Sequence, residues 1–582
     1  MNFDPKLFYR FAFWISFSGL LVFIDDFGFV HTHDTQSYLN HYYYFVLLVG
    51  VMSTAIRYLK NKELIKRRAF GFDLSTIILT LLIFYVNFFG HSSSQIHEEF
   101  EDTFWVKFAV LFTFIREFSE IKINYKRTFL NPAQLFIASF LLIIFIGSLL
   151  LILPNATHYG ISYLDALFTS TSAVCVTGLT VVDTGSDFTL FGQTIIMLLI
   201  QIGGLGILTF ASYFSYFFKG GTTYENQLVL SDMTSSKTLS DVFSTLKYII
   251  LITFGIELFS AILIFTSIEL NSFGSLSEKL FFSAFHSISA FCNAGFSTLP
   301  KNLYELGFKF NYYLQLVVIF TFVLGGLGFP IVVNILKYLR YRIKTLFTFS
   351  HRKIIYKPWM LSLNSRITLV TTFSISIVAF TLFYFFEYNN SLSDHSGFGK
   401  IVTALFGATT PRTAGFNTID TASLAFPTLM MMFLLMWIGA SPQSTGGGIK
   451  TTTFTIATLN ILSLAKGKSR IEIFRREIAD ISVRRAFAII TLSLIVIGFG
   501  IILISIFDNE KDLVAIAFEC FSAYGTVGLS LGITPDLSSA SKLVIIVVMF
   551  VGRISMLSLV TAVFKKIKHK NYSYPKEELT IN

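Results

Sequence analysis

Four short polar loops, each with one central glycine, contain the residues of this chain that are best suited to bind an ion. The central glycines are Gly178, Gly295, Gly415 and Gly528, at separations of 117, 120 and 113 residues. Consecutive carbonyls can face one axis only if some residues take backbone angles that a Cβ disfavours, and glycine permits them. Four such loops around one axis would surround a dehydrated cation with carbonyl oxygens. The expected carbonyl donors are Val176, Thr177, Gly178, Leu179, Asn293, Ala294, Gly295, Phe296, Thr413, Ala414, Gly415, Phe416, Thr526, Val527, Gly528 and Leu529.

Close packing of helices through small residues is the competing explanation for glycines in apolar segments. It does not account for the Thr, Asn and Ser residues beside the four loop glycines, because polar groups at membrane depth are costly and functional. For two other glycine clusters, at 203–206 and 325–328, we expect helix packing. The buried-packing interpretation also applies to the three cysteines, whose number and spacing do not fit a metal or redox site. They are Cys175, Cys292 and Cys520.

The composition indicates a membrane protein that crosses the bilayer many times. Of the 582 residues, 53% are hydrophobic and 14% are charged, and the mean hydropathy is +0.66. A single water-soluble core cannot bury that much apolar surface. Twelve stretches are candidates to cross about 30 Å of hydrocarbon. The weaker four are 7–24, 42–58, 71–90 and 104–119, and the stronger eight are 132–153, 190–217, 246–269, 313–336, 367–387, 427–463, 485–507 and 541–563.

The net charge of +10 is distributed by loop, which argues against nucleic acid as a partner and for membrane topology. Basic connections alternate with acidic ones along the chain, and the positive-inside rule places the basic ones in the cytoplasm. With twelve spans, both termini are then cytoplasmic. The basic connections are 57–68, 122–127, 337–357, 466–485 and 565–570.

Each polar loop follows an amphipathic stretch that is too short to span the bilayer. These stretches, 163–174, 278–291, 400–410 and 513–524, are expected to be re-entrant pore helices whose negative C-terminal ends favour a cation. The predicted fold class is an all-α polytopic membrane protein with four pseudo-repeats of helix, re-entrant helix, filter loop and helix around a central pore. The expected domains are an N-terminal extension of about four transmembrane helices (1–127), pore repeats at 128–220, 221–345, 346–465 and 466–566, and a cytoplasmic tail at 567–582.

The segments 171–180, 291–298, 410–417 and 523–530 resemble the four filters of the Trk/Ktr/HKT superfamily of potassium transporters. The resemblance is strongest to the bacterial Trk and Ktr membrane subunits and covers residues 128–565. It implies potassium uptake through a gated, channel-like filter, a homodimer, and regulation by a cytoplasmic ring of nucleotide-binding subunits. In plant relatives, Ser in place of the first filter glycine accompanies sodium selectivity, so Gly178 favours potassium.

A run of one proline and four glycines at 439–448 must interrupt the span after the third loop. The matching loop of the family serves as a gate, which implies a gating role for Gly446, Gly447, Gly448 and Lys450. A Walker A interpretation fails, because Lys450 follows Ile and no strand precedes it. Arg553 lies in the last span, where a charge costs about 2.5–3.5 kcal/mol on insertion scales. The matching family arginine projects beneath the filter, and the alternative is an ion pair with Glu257 or Glu519.

Three alternatives remain open from the sequence. The fold could serve a sodium-selective or sodium-coupled transporter, or a non-conducting membrane sensor. The extension could resemble a voltage sensor, but its fourth span carries only Lys107 and Arg116, so a packing or regulatory bundle is favoured. We expect neither an enzyme nor a cofactor, with membrane lipid and the potassium ion as partners of a multi-pass protein of the cytoplasmic (inner) membrane.

Overall fold

The structure is a computed structural model that describes residues 5–60, 69–89, 103–119, 132–206, 239–269, 273–347, 361–554 and 560. The expected tail at 567–582 and the basic connections at 122–127 and 565–570 lie outside these residues. The described part is mostly helical, with one two-stranded antiparallel sheet of β1 (Glu472–Ile473) and β2 (Arg476–Glu477).

Four helices form an N-terminal bundle with its own apolar core around Tyr43, Leu47 and Val110. They are α1 (Pro5–Gly28), α2 (His33–Lys60), α3 (Phe70–Phe89) and α4 (Thr103–Ser119). Three buried ion pairs cross the bundle, which keeps each charge at membrane depth beside an opposite one. They join Arg57 to Glu117, Lys107 to Asp26 at 2.9 Å and Arg116 to Asp73 at 2.5 Å. Both basic side chains of α4 are therefore already neutralised by acids of α1 and α3.

The rest of the described chain repeats one order four times: a long helix, a short helix, a polar loop and a further helix. The first two units consist of α5 (Pro132–Leu151), α6 (Tyr163–Val174) and α7 (Leu190–Leu205), then α8 (Leu239–Ser267), α9 (Leu276–Cys292), α10 (Tyr312–Leu327) and α11 (Phe329–Phe347). The last two consist of α12 (Leu363–Glu387), α13 (Phe398–Thr409), α14 (Phe426–Trp437) and α15 (Thr451–Ala465), then α16 (Asp480–Phe507), α17 (Leu513–Gly525) and α18 (Ser539–Ile554). Short helical turns lie at Pro154–Ala156, Asn302–Tyr304, Leu306–Lys309 and Thr421–Ser423.

The short helices α6, α9, α13 and α17 coincide with the four stretches that were expected to be too short to span. Three of them start at a side chain that accepts a hydrogen bond from the backbone, as helix N-caps do. These caps are Ser162, Ser275 and Asp512. Helix α13 ends earliest relative to its loop glycine, because Pro411 has no N–H to continue the helical bonding.

Within the described residues, each of the twelve expected spans coincides with a helix or a broken pair of helices; residue 90 and the C-terminal parts of the spans 190–217 and 541–563 lie outside those residues. By length and composition, six helices of the described residues could cross a membrane, or seven if the bent pair α10 and α11 counts as one. The bend of 106° in that pair was not expected. Gly328 adopts a φ of 84° there, a conformation that ends the helix, and Gly206 does the same at 80° after α7.

The two glycine clusters therefore combine packing with helix termination. A Cβ on Gly203 would collide with the carbonyl oxygen of Val174, and one on Gly325 with that of Phe291. These glycines let α7 and α10 lie directly against the ends of α6 and α9, as small-residue packing predicts. Expecting packing alone was wrong for Gly206 and Gly328, whose backbone angles are what glycine provides.

Candidate functional site

The four polar loops meet in a closed ring. We call residues 176–180, 293–297, 413–417 and 526–530 loops 1 to 4, and their four central glycines the glycine ring. A Cβ on Gly178 would collide with the carbonyl oxygen of Ala294 in loop 2. The same relation holds around the ring, from Gly295 to Gly415, from Gly415 to the carbonyl of Val527, and from Gly528 to the carbonyl of Thr177. The loops thus follow chain order around one axis, at a separation that only glycine allows.

Each loop also holds a second left-handed residue, two positions before its glycine. The φ values of these four residues lie between 50° and 70°, and those of the glycines between 69° and 91°. Non-glycine residues rarely adopt such angles, and strain of this kind gathers at functional sites. Residue type alone does not identify these four residues, since Asn is the only type among them that tolerates a left-handed backbone well. They are Val176, Asn293, Thr413 and Thr526.

Hydroxyl groups of the short helices hold each loop in place. In loops 1 and 4 a serine accepts a hydrogen bond from the glycine N–H, at 3.0 Å from Ser172 and 3.1 Å from Ser522. In loop 2, Ser289 donates to the carbonyl of Phe296 at 2.7 Å, and in loop 3 Thr410 donates to that of Phe416 at 2.5 Å. The sequence interpretation missed these side chains. The available signal was a hydroxyl residue six positions before the central glycine in loops 1, 2 and 4, and five positions before it in loop 3: Ser172, Ser289, Ser522 and Thr410.

An open cavity of about 480 Å³ lies over one side of the glycine ring, and all four ring glycines line it. Two acidic residues, Asp183 and Asp420, are in its wall. Burial raises the pKa of Asp183, even though backbone N–H groups of Gly185 and Ser186 donate to its carboxyl at 2.8 Å. Acidic groups at a cavity mouth attract cations. Three of the expected carbonyls already have a partner: Asn302 donates to the oxygen of Gly295 at 3.0 Å, and the oxygens of Phe296 and Phe416 accept from Ser289 and Thr410.

The interrupted segment between α14 and α15 lies against the loops, at their left-handed residues rather than in the 480 Å³ cavity. Its two ends meet in a bridge between Ile438 and Ile449. Thr445 donates to Asn293 Oδ1 at 2.8 Å, and Gly447 N donates to Thr526 Oγ1 at 2.8 Å. A Cβ on Gly446 would collide with Thr413 Oγ1. We call residues 439–450 the intramembrane loop. It is hydrogen-bonded to loops 2 and 4 and packed against loop 3.

Arg553 holds the intramembrane loop through backbone carbonyls. Its guanidinium donates to the carbonyl of Thr445 and to that of Gly203. The alternative of an ion pair with Glu257 or Glu519 is wrong, because those carboxylates accept from Gln201 at 3.1 Å and from Ser530.

Two further basic side chains contact the intramembrane loop. Lys450 folds back to donate to the carbonyl of Gly446 at 2.5 Å. Arg412 donates to the backbone carbonyl of Gly439 at 3.4 Å. All five residues that the sequence assigned to the gate thus lie together beside the loops.

Similarity to known proteins identifies the family of this chain. Residues 96–574 match the TrkH family profile, which is described as a cation transport protein. The chain belongs to the TrkH family. It is 38% identical over 451 residues to the Ktr system potassium uptake protein B of Bacillus subtilis, covering 77% of this chain and 96% of that protein. It is 36% identical over 460 residues to the potassium/sodium uptake protein NtpJ of Enterococcus hirae, covering 78% and 97%.

The TrkH fold is also found among solved structures. The crystal structure of the potassium transporter TrkH from Vibrio parahaemolyticus superimposes with a TM-score of 0.60 and 17% identity, over 85% of this chain and 97% of that one. The expected resemblance to the Trk/Ktr superfamily is confirmed, and this TrkH-family member is a multi-pass membrane protein. Helices α1 to α3 precede the first residue of the family match.

Proposed function

We propose that this protein takes up potassium ions across the cytoplasmic membrane, through a gated filter made of backbone carbonyls. The observation that carries this proposal is the closed glycine ring beneath an open, partly acidic cavity. Because the four backbones approach one another closely, their carbonyl oxygens can surround a single ion on the axis. A dehydrated cation there exchanges its water shell for carbonyl oxygens, which is how such filters select ions.

The short helices support a cation rather than an anion. Each of the four leads directly into its loop, so its C-terminal end, with a partial negative charge, lies at the glycine ring. No side-chain carboxylate is needed at the ring itself. The sixteen loop residues expected from the sequence would coordinate potassium through their carbonyls, and the transported ion is cargo rather than a cofactor.

The intramembrane loop and Arg553 serve as the gate in this proposal. Thr445 connects the two, because it donates to loop 2 while its own carbonyl accepts from Arg553. A positive charge held there repels cations until the loop moves. Movement would break the hydrogen bonds to loops 2 and 4 and displace the guanidinium together.

The assembly around the pore follows from the family and from charge. We expect a homodimer, with both termini in the cytoplasm and a ring of nucleotide-binding regulatory subunits on that side. The basic connections 337–357 and 466–485 are the candidate docking surfaces, and anionic lipid would occupy them otherwise. We propose four pore repeats, at 128–220, 221–345, 346–465 and 466–566, after an N-terminal extension at 1–127.

Growth of a bacterial strain that lacks its own potassium uptake systems tests this function. Expression of the protein should restore growth at low potassium, and the cells should accumulate radioactive rubidium. Absence of rescue by well-expressed protein would support the non-conducting sensor. Strong competition of rubidium uptake by sodium would support the sodium-selective alternative and contradict a potassium filter.

A further inference from the structure

Two side chains behind the filter occupy the same place in their repeats. His286 on α9 and Glu519 on α17 each lie nine residues before the central glycine of their loop. Both are completely buried, at 0% exposure. Each contacts the serine eleven residues later, Ser297 for the histidine and Ser530 for the glutamate. An imidazole and a carboxylate differ in shape and charge, and accepting a hydrogen bond from this serine is the role that the two share here.

The neighbours of His286 fix which of its nitrogens accepts. Nδ1 lies 2.9 Å from the carbonyl oxygen of Phe282, which can only accept, so Nδ1 carries the proton. In the neutral ring Nε2 is then the acceptor, and it lies 2.8 Å from Ser297 Oγ. The serine hydroxyl donates to the histidine and accepts in turn from Leu299 N at 3.0 Å.

Ser530 has the same arrangement on the opposite side of the filter. Its hydroxyl donates to Glu519 Oε1 and accepts from Gly532 N at 2.8 Å. Thr534 also donates to the serine Oγ, at 2.9 Å. In both loops, therefore, a serine two residues after the ring glycine is held between an acceptor on the short helix and an N–H two residues further on. Loops 2 and 4 are diagonal in the ring, because the loops follow chain order.

The other two repeats do not have this arrangement at the matching position. Loop 3 has Phe406 there, which cannot accept a hydrogen bond from Asn417. In loop 1 the residue is Thr169, whose buried Oγ1 has no hydrogen-bond partner among the described residues. Two diagonal loops are thus fastened at their outer ends by an acceptor on the short helix, whereas at the matching position loop 3 has no acceptor and Thr169 of loop 1 makes no such bond among the described residues.

We infer that His286 and Glu519 are positioning residues for ion selectivity, each holding one diagonal loop through a hydrogen bond accepted from a serine. This inference rests on the proposed function, because it concerns the filter of that function. Selectivity depends on the number and position of the carbonyls around the ion. A loop whose outer end is released can contract around a smaller ion such as sodium. The requirement is for an acceptor, and not for a charge, since a neutral imidazole fills the role in one loop.

Paired substitutions of Glu519 separate these two requirements. Glu519→Leu removes the acceptor, whereas Glu519→Gln keeps a carbonyl oxygen at the same place and removes the charge. The readout is rubidium uptake with and without competing sodium, at matched protein level. One net hydrogen bond is worth about 1 kcal/mol, so we expect about a fivefold loss of discrimination in the leucine variant. The glutamine variant should stay within about twofold of wild type, and a glutamine variant that behaves like the leucine variant overturns the inference.

The serine provides a milder variant and a coupling test. Ser530→Ala should lose discrimination in the same direction as Glu519→Leu, and the double variant should lose less than the sum of the two single losses, because the two substitutions share one hydrogen bond. Glu519 also has hydrogen bonds with Thr534 and with the backbone of Leu531, which Ser530→Ala leaves in place. The same test applies to His286→Leu with Ser297→Ala. Independent, additive losses would show that the two side chains do not act through this bond. Thr169→Val is the matched control at the equivalent position, and an equal loss of selectivity there would also overturn the inference.

Failure of the inference and failure of the proposed function give different results. If wild-type protein takes up rubidium and the paired variants match it, only the role of His286 and Glu519 is wrong. If wild-type protein takes up no rubidium, thermal unfolding of the purified protein in potassium and in sodium replaces uptake as the readout, with the same expected order of variants. A wild-type protein that potassium neither enters nor stabilises overturns both proposals.

Discussion

Gly178→Ser is the perturbation whose effect the structure defines most fully. Gly178 has a φ of 90°, and a Cβ there would collide with the carbonyl oxygen of Ala294 and lie 3.3 Å from the Cα of Gly295. The obstacles are backbone atoms of the neighbouring loop, so they cannot move aside as a flexible side chain would. The serine therefore has to push loop 2 away from loop 1 and change the shape of the ring.

The free-energy cost of Gly178→Ser has two parts, the backbone strain of a serine at this φ and the collision with loop 2. A substitution at a second glycine, Gly160, separates them. A non-glycine residue at such a φ costs about 1–3 kcal/mol of backbone strain wherever it occurs. Gly160 has a φ of 80° in an exposed turn, where a Cβ would meet nothing within 4 Å. Gly160→Ser is thus a matched control that carries the strain without the collision. The excess effect of Gly178→Ser over Gly160→Ser measures the close approach of the two loops.

The assay is rubidium uptake competed by sodium in a strain without its own potassium uptake, at matched protein level. Loss of about 1.4 kcal/mol of preference for rubidium in the distorted ring corresponds to about a tenfold loss of discrimination. Gly160→Ser should keep the wild-type ratio. Unchanged selectivity in Gly178→Ser, or an equal change in both variants, would refute the claim that the ring sets selectivity.

Three further predictions concern the gate and the N-terminal bundle. Arg553→Gln removes the charge beside the intramembrane loop, so rubidium uptake should rise severalfold at unchanged protein level; a parallel fall of uptake and protein amount would instead indicate a structural role. Thr445→Val removes the hydrogen bond to Asn293 that holds the gate against loop 2, and it should raise uptake in the same assay, whereas lower uptake would contradict the gating role. Glu117→Gln leaves the buried Arg57 without its counter-charge and should lower the stability by about 3–5 kcal/mol, measured by thermal unfolding in detergent, while replacing both residues by Met should cost less.

The sequence predicted the short helices well because several local signals coincide there. Helix α6 has the bounds expected from the sequence, Tyr163–Val174. Its length is too small for a span, its start has a capping serine, Ser162, and its end runs into a glycine loop. This combination occurs four times along the chain, so each copy strengthens the prediction of a short helix followed by a glycine loop in the others.

What the sequence could not predict depends on contacts between distant segments. The partners of Arg553 are backbone carbonyls, which every residue has, so no sequence pattern identifies them. The bend at Gly328 lies in an apolar run that predicts one span; Gly325, Gly326 and Pro330 beside it weaken a helix but do not set the angle of 106°. Asn293 is of a residue type that tolerates the left-handed conformation, but Val176, Thr413 and Thr526 at the matching positions are not, so their backbone angles depend on the packing around the ring.

Whether an ion binds on the axis of the four loops can be measured directly by anomalous diffraction from crystals of the protein that contain rubidium in place of potassium. The account predicts a rubidium peak on the axis of the four loops, within coordination distance of carbonyl oxygens beside Gly178, Gly295, Gly415 and Gly528. A crystal that binds rubidium elsewhere, with no peak on that axis, would contradict it.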